Sequence, residues 1–331
     1  MQHETLATRP SPPVPARVLV TGASGFIGRA VLHRFAELGA VAIGIDVVPE
    51  AGVVRGSTLE PEEWAEQLVG VDVVVHTAAI VSTVAPLAEA WSVNVDGTRR
   101  VLDACCAAGV SRFVFLSSIA VWGNDFADGV TEDDPPVVQG TSYADTKING
   151  EAVVLAAHAA GRIEATIIRP GDVYGPGSRP WVMLPLETIR KRMMILPDYG
   201  KGTFSQVYID NLVDGIVLAS CTPAASGQVF TITDGDPVSC RDYFGRLAGL
   251  AGRRVRTGPR RPVVALVCGV GSLQRALGQK SELSPNAAGM MLRRGSYSID
   301  KARTVLGFEP VIDLDEGMRR TQVWLQEQSL I

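Results

Sequence analysis

The stretch Arg17-Val-Leu-Val-Thr-Gly-Ala-Ser-Gly-Phe-Ile-Gly28 constrains the fold of this chain more than any other segment. Val18, Leu19 and Val20 predict a buried strand, Thr21 to Gly28 a glycine-punctuated turn, and Arg29 to Leu38 a helix. Strand, glycine turn and helix in that order make a dinucleotide-binding unit. Gly22 permits the tight turn, Gly25 lets the backbone approach a pyrophosphate, and Gly28 lets the helix pack on the strand. Backbone N–H groups at the helix N-terminus then face the phosphates, where the helix dipole favours negative charge. Ser24, Phe26 and Ile27, which lie between the glycines, are assigned to the cofactor with them.

The residues that follow predict an α/β chain with a Rossmann-type, doubly wound parallel sheet. Val41 to Ile45 reads as a second strand ending at Asp46, 21 positions after Gly25. A carboxylate there accepts from ribose hydroxyls and repels a 2′-phosphate, so NAD is expected over NADP. No Arg stands at Val47 or Val48 to hold that phosphate, although Arg29 and Arg55 could supply charge nearby. Val53-Val54 is a short third strand, and Pro61 to Val69 looks helical. Val71 to Ala79 is nearly all apolar, as in a strand covered on both faces. It ends in Ala78 and Ala79, small enough for a cofactor ribose to pass closely, and its His76 reads as a packed, hydrogen-bonded core histidine.

Glu89 to Ala108 predicts a long helix closed by Gly109. Arg112 to Ser118 is a fifth strand, which puts Ser118 at a carboxyl end, where ligands bind in such sheets. Thr141 or Ser142 caps the next helix, and Tyr143 and Lys147 share one of its faces. Tyrosine titrates at about 10 and is a poor base at neutral pH; a neighbouring ammonium favours phenolate and corrects this. Ala165 to Pro170 is a sixth strand.

After Gly177 the pattern changes. Leu184 to Met193 looks helical, Phe204 to Ile209 is a strand, Asp210 caps a helix over Asn211 to Ser220, and Val229 to Thr233 is another strand. Arg253, Arg254, Arg256, Arg260 and Arg261 lead into an apolar run, Val263 to Val270, continued by Leu273 and Leu277. That run is too short to span a bilayer. Three readings stand: it roofs an apolar pocket, touches a membrane surface peripherally, or packs as a core helix. Residues 17–178, completed by 204–235, form the dinucleotide-binding domain; 179–203 and 236–331 form a smaller, discontinuous substrate-binding lobe. Residues 1–16, with Pro10, Pro12, Pro13 and Pro15, read as a disordered arm rather than a signal peptide. The net charge of −4 gives no reason to expect nucleic acid. The five cysteines lack metal-type spacing, so no metal is expected, and they suit a reducing cytoplasm. Cys105 and Cys106 read as buried thiols.

Taken together, these residues resemble the extended short-chain dehydrogenase/reductase superfamily, of the NAD-dependent epimerase/dehydratase type. The matching pieces are Thr21 to Gly28, His76-Thr-Ala-Ala79, Asn94-Val-Asp-Gly-Thr98, Ser117 to Gly123, Tyr143-Ala-Asp-Thr-Lys147 and Arg169 to Pro176. Val207 to Asn211 and Tyr297 to Phe308 extend the match almost to the C-terminus. Within the superfamily the chain looks most like the 3β-hydroxysteroid dehydrogenase branch, through Val74 to Ile80, the Ser-Ser-Ile after strand five, and Gly200 to Asp210. Nucleotide-sugar epimerases and dehydratases usually carry an Arg just before the equivalent of Val207-Tyr208; here Phe204, Ser205 and Gln206 stand there, with Arg190, Lys191 and Arg192 as substitute cations. Two other departures are Ser57, where relatives place an Asp against adenine, and Trp122 for a Tyr, which is expected to reshape the substrate side.

The resemblance implies catalysis by Ser118, Tyr143 and Lys147, with the Pro170 to Val173 backbone lining the nicotinamide side. It implies an NAD-dependent oxidoreductase moving hydride between a secondary alcohol or ketone and nicotinamide, on an apolar, 3β-hydroxysteroid-like substrate. The alternative is a nucleotide-sugar 4-epimerase or dehydratase with bound NAD. Loss of Tyr143 or Lys147 would mark a non-catalytic scaffold, and both are present. A homodimer through the helices carrying Asn94 and Tyr143 is also implied.

Overall fold

The computed structural model describes residues 13–279 and 281–331; most of the proline-rich arm, residues 1–12, lies outside them. In chain order the first half runs β1 (Arg17–Thr21), α1 (Phe26–Glu37), β2 (Val41–Asp46), β3 (Val53–Arg55), β4 (Val73–His76), α2 (Leu87–Trp91), α3 (Thr98–Ala108), β5 (Arg112–Leu116), α4 (Ser142–Ala159) and β6 (Glu164–Pro170). The second half holds β7 (Asp172–Tyr174), α5 (Leu184–Arg190), β8 (Ile195–Leu196), β9 (Thr203–Phe204), β10 (Gln206–Tyr208), α6 (Ile209–Cys221) and β11 (Val229–Ile232). It ends with β12 (Val238–Ser239), α7 (Cys240–Leu250), β13 (Arg256–Thr257), α8 (Arg260–Ala276), α9 (Pro285–Met290) and α10 (Leu314–Glu327).

Seven strands form one parallel sheet in the order β11-β6-β5-β4-β1-β2-β3. The order reverses between β1 and β4, which opens a crevice at their carboxyl ends. Alternate side chains explain the apolar strands. Val18, Val20, Val73, Val75, Val114 and Leu116 pack beneath α1 and α6, while Leu19, Val74, Phe113 and Phe115 pack against α3 and α4. Both faces are therefore covered, and a polar residue on either would be stranded. The first of these cores continues without a break into the C-terminal segments, through Phe204, Tyr243, Phe244 and Leu247.

Several expected boundaries move, each for a local reason. α1 starts at Phe26, because Gly25 already has the extended backbone of an N-cap. β4 stops at His76, where Thr77 turns out of the strand and donates from Oγ1 to the Thr21 carbonyl at 2.7 Å. The long helix is interrupted by a wide π-type turn, Ser92–Gly97. The segment Pro61–Leu68 winds as a tighter 3₁₀ coil with a break at Trp64. Thr141 holds the N-cap position of α4 without a side-chain cap, and the Ser142 hydroxyl donates instead to the Ser82 carbonyl at 3.3 Å. Asp210 is not a cap: α6 starts at Ile209, and Asp210 pairs with Arg320. The expected strand over Phe204 to Ile209 splits at Ser205, because β9 pairs with β12 whereas β10 pairs with β7. Cys105 is buried, but Cys106 is only half-buried, and both are free thiols.

Candidate active site

The glycine turn sits at the sheet's switch point, and each glycine is held there by sterics. Gly22 has φ +71°, and a Cβ on it would lie 2.7 Å from the Ala78 nitrogen. A Cβ on Gly28 would lie 2.1 Å from the Gly22 carbonyl oxygen, so only glycine lets α1 start this close to β1. Around Gly25 a Cβ would meet only the Gly22 oxygen, at 3.1 Å, and otherwise open space. No side chain caps α1, which leaves its first-turn N–H groups facing that opening. Asp46 leans over the turn: its carboxylate accepts from the Ser24 N–H at 3.1 Å and the Val48 N–H at 2.9 Å. Phe26 and Gly177 approach each other, so the loop after β6 closes on the turn; Val173 lies within it on β7, and Pro170 ends β6.

Ser118, Tyr143 and Lys147 converge at the carboxyl ends of β5 and β6. Ser118 leaves β5 and caps a 3₁₀ turn, Ile119–Trp122, by accepting from the Ala120 N–H at 3.1 Å. The Tyr143 phenol is pushed above its ordinary pKa by burial, and a hydrogen bond with Ser118 opposes that rise. Lys147 is buried; its ammonium donates to the Leu116 carbonyl at 2.7 Å and lies 5.9 Å from the Tyr143 ring centre. Burial pulls the Lys147 pKa down to about 8, while the Glu151 carboxylate works against the fall. Burial and the neighbouring carboxylate thus act on the ammonium in opposite directions.

Glu151 was not singled out by sequence. It lies one turn beyond Lys147 on α4, buried, with Arg169 bound bidentately at 2.8 and 2.7 Å and the Ser117 hydroxyl donating at 2.5 Å. The Arg169 guanidinium stacks on the Trp122 ring, 4.5 Å from its centre. Trp122 is buried over this ion pair, where a stacked indole shields a guanidinium from water without a competing acceptor. The sequence signal was the repeat Tyr143, Lys147, Glu151, three residues on one helical face. Asn94 occupies the π-type turn and knits three elements together: its amide exchanges bonds with the Ile80 backbone at 2.7 and 3.0 Å and donates to Thr146 at 2.9 Å. His76 is the core residue expected, bonded to the Thr21 and Thr98 hydroxyls at 2.8 and 3.0 Å and driven to a pKa of about 3 by burial. Ser57 spends its hydroxyl on the Leu59 N–H at 3.1 Å.

The C-terminal segments are pinned to this edge. Arg293 pairs with Asp172 out of contact with solvent, joining the segment after α9 to the loop that follows Pro170. Glu282 accepts from the Ser82 hydroxyl at 2.6 Å and the Thr83 N–H at 3.0 Å, and the Asn124 amide donates to Asn286 at 2.9 Å. These contacts tie residues from both halves of the chain together at this edge.

An edge built this way, glycine turn and carboxylate on one side and Ser-Tyr-Lys on the other, is matched by a single family profile over residues 18–233. The chain belongs to the NAD dependent epimerase/dehydratase family. It is an enzyme of the extended short-chain dehydrogenase/reductase type. A 3-beta-hydroxysteroid dehydrogenase from Mycolicibacterium neoaurum is 29% identical to it, over 91% of this chain and 89% of that one. A 2-alkyl-3-oxoalkanoate reductase from Stenotrophomonas maltophilia is 28% identical over 92% of this chain and 98% of the reductase. Among solved structures, the dTDP-glucose 4,6-dehydratase DesIV from Streptomyces venezuelae, with NAD bound, superposes with a TM-score of 0.75 at 25% identity, over 94% of this chain and 97% of that one. Similarity to family members thus extends past the profile, into the C-terminal segments.

Proposed function

We propose that this family member is an NAD-dependent dehydrogenase or ketone reductase acting on an apolar secondary alcohol of the 3β-hydroxysteroid kind. The observation that carries the reading is the Lys147 ammonium, buried with the Glu151 carboxylate opposing its loss of charge, beside a phenol that also meets Ser118. In the oxidative direction Tyr143 takes the proton from the substrate hydroxyl, Ser118 donates to the substrate oxygen and fixes its position, and Lys147 stabilises the phenolate. When bound, the dinucleotide accepts hydride from the carbon bearing that oxygen. Gly22, Gly25 and Gly28 would admit its pyrophosphate, with Ser24, Phe26 and Ile27 at the helix start. Asp46 would hold the adenosine ribose diol, Ala78 and Ala79 would pass close to the sugars, and Pro170 to Val173 would line the nicotinamide. NAD over NADP is supported by the Asp46 carboxylate above the turn and by Arg29, whose guanidinium is paired with Glu50 at 2.8 Å.

The second reading, a nucleotide-sugar epimerase or dehydratase, has the likeness to DesIV in its favour. Against it, Phe204 is buried between Trp181 and Tyr243, and Gln206 donates to the Asp236 carbonyl. The buried Arg293 is neutralised by Asp172, and Lys191 pairs with Glu187. Of the other two substitute cations, Arg190 donates to the Leu330 carbonyl, and among the described residues Arg192 alone of the three has neither an ion pair nor a side-chain hydrogen bond. NADH formation from NAD and a panel of 3β-hydroxysteroids and long-chain secondary alcohols, abolished in Tyr143→Phe, is the expected result. Inert alcohols, together with interconversion of a UDP-sugar on tightly retained NAD, would overturn it. Asp46→Ser should shift the NADP-to-NAD preference about tenfold or more, the cost of roughly one charge contact; a wild-type enzyme already preferring NADPH would contradict the assignment of Asp46.

A further inference from the structure

Helix α8 seats Val263 and Gly271 against the protein, with Val264, Val267 and Val270 half-buried beside them, and leaves a second apolar stripe in solvent. Its 17 residues bury only Val263 and Gly271. The solvent side carries Pro262, Ala265, Leu266, Gly269, Leu273 and Ala276, with Leu277 completing the stripe and Ser272 as its one polar interruption before Ala276. Leu266, Leu273 and Leu277 are 52%, 61% and 68% exposed. Polar residues normally hold that arc, and a contiguous exposed apolar face marks an interaction surface. The orientation is fixed by packing. A Cβ on Gly271 would stand 2.0 Å from the Leu283 carbonyl oxygen, and Arg275 donates to that same oxygen at 2.7 Å. The helix cannot roll its leucines inward without breaking this seat.

A cationic cluster adjoins the start of the helix. β13 pairs with β8, which sets Arg253, Arg254 and Arg256 beside Arg192 around a surface concavity of about 580 Å³. Arg260 and Arg261 follow, both exposed. Among the described residues, every ion pair uses other cations, so these six guanidiniums face water on a chain whose net charge is −4. Among the described residues no helix is long and apolar enough to cross a membrane. An apolar helical stripe that continues, at the N-terminal end of the helix, into these unpaired arginines instead fits the plane of an anionic bilayer, with phosphates on the guanidiniums and leucines among the acyl chains.

We infer that α8 and its arginines form a peripheral docking face for an anionic lipid surface. A second copy of the chain is the poorer occupant: apposing this face on itself sets arginines against arginines, and α8 carries no carboxylate to answer them. The connection after α8 carries Glu282 to the Ser82–Thr83 loop, whose Ser82 carbonyl is bonded by Ser142, the neighbour of Tyr143. The docked helix therefore lies one short connection from the edge that carries Tyr143. Resting on the proposal of an apolar substrate, this face draws that substrate from the bilayer to Tyr143.

The test is cosedimentation with vesicles of phosphatidylglycerol and phosphatidylcholine, against phosphatidylcholine alone. Binding is expected only with the anionic lipid, is weakened by salt, and falls about tenfold or more in Leu266→Ser/Leu273→Ser and in Arg253→Gln/Arg254→Gln. With those variants, kcat/KM should drop for a vesicle-borne sterol and stay at the wild-type value for a short water-soluble alcohol. Equal binding to both vesicles, or none, overturns the inference. So does millimolar inorganic phosphate displacing the protein from vesicles as well as sodium chloride does at far higher ionic strength, which would mark a free-anion site. A dimer in solution that the leucine variants split would also overturn it. Turnover without vesicle binding removes the docking face alone; vesicle binding without turnover of any alcohol removes the dehydrogenase reading alone.

Discussion

Helices α4 and α8 are of nearly equal length, 18 and 17 residues, and each reverses the usual arrangement of an amphipathic helix. α4 buries Ser142, Thr146, Lys147 and Glu151 among Ala144, Gly150, Val154 and Ala157, and its exposed positions are Ala152, Ala156 and Ala159. α8 buries a valine and a glycine and exposes its leucines. The two inversions have different energetics. On α4, every inward charge is answered: Glu151 by Arg169 and Ser117, and Lys147 by the Leu116 carbonyl. Burying ions is tolerable only with such partners. On α8 the outward leucines have no partner among the described residues, and the free energy of covering them is left for a second body to supply. The first inversion is closed within the fold, and the second is left open at its surface.

Four substitutions would break or sharpen this contrast. The largest effect belongs to Tyr143→Phe, which should lower kcat by roughly 10²–10⁴-fold, the usual worth of a general base, with little change in Tm. Next comes Glu151→Gln. It strands Arg169, and breaking a buried pair typically costs about 3–5 kcal/mol, read by denaturant unfolding. It also has a signed pH effect. Glu151 holds the Lys147 pKa up against burial, to about 8, so its loss should move the alkaline fall in kcat/KM to lower pH. An unmoved limb would show that Lys147 does not report on Glu151.

Smaller effects lie on α8. Gly271→Ala forces a methyl against the Leu283 carbonyl and should cost about 1–3 kcal/mol, as overpacking does. Leu266→Ser should leave stability within about 0.5 kcal/mol, as at other exposed positions. A loss of several kcal/mol there would mean that the leucine is already covered, and the contrast with α4 would fail.

Much of the site could be seen in the residues alone. The glycine turn, Asp46 and the Tyr143–Lys147 spacing carry their chemistry within short segments, because a turn, a strand end and one helical face are local objects. Trp122 shows where such reading stops. The sequence marked it only as a departure from the family pattern; its stacking on Arg169, which lies on another strand, is visible in the fold alone. The Glu151–Arg169 bond, the Asp172–Arg293 pair and the Glu282 anchor likewise join residues from different elements, and no local period records them.

What the sequence by itself determined was the kind of sheet, the glycine turn at its edge and the shared helical face of Tyr143 and Lys147, since each follows from backbone sterics or from periodicity within one element. Only the tertiary structure decided which way α8 faces. Periodicity gives a helix an apolar side and does not say whether that side meets protein or water. That choice was made at Gly271, where the absence of a side chain lets the Leu283 carbonyl come close and leaves the leucines outside.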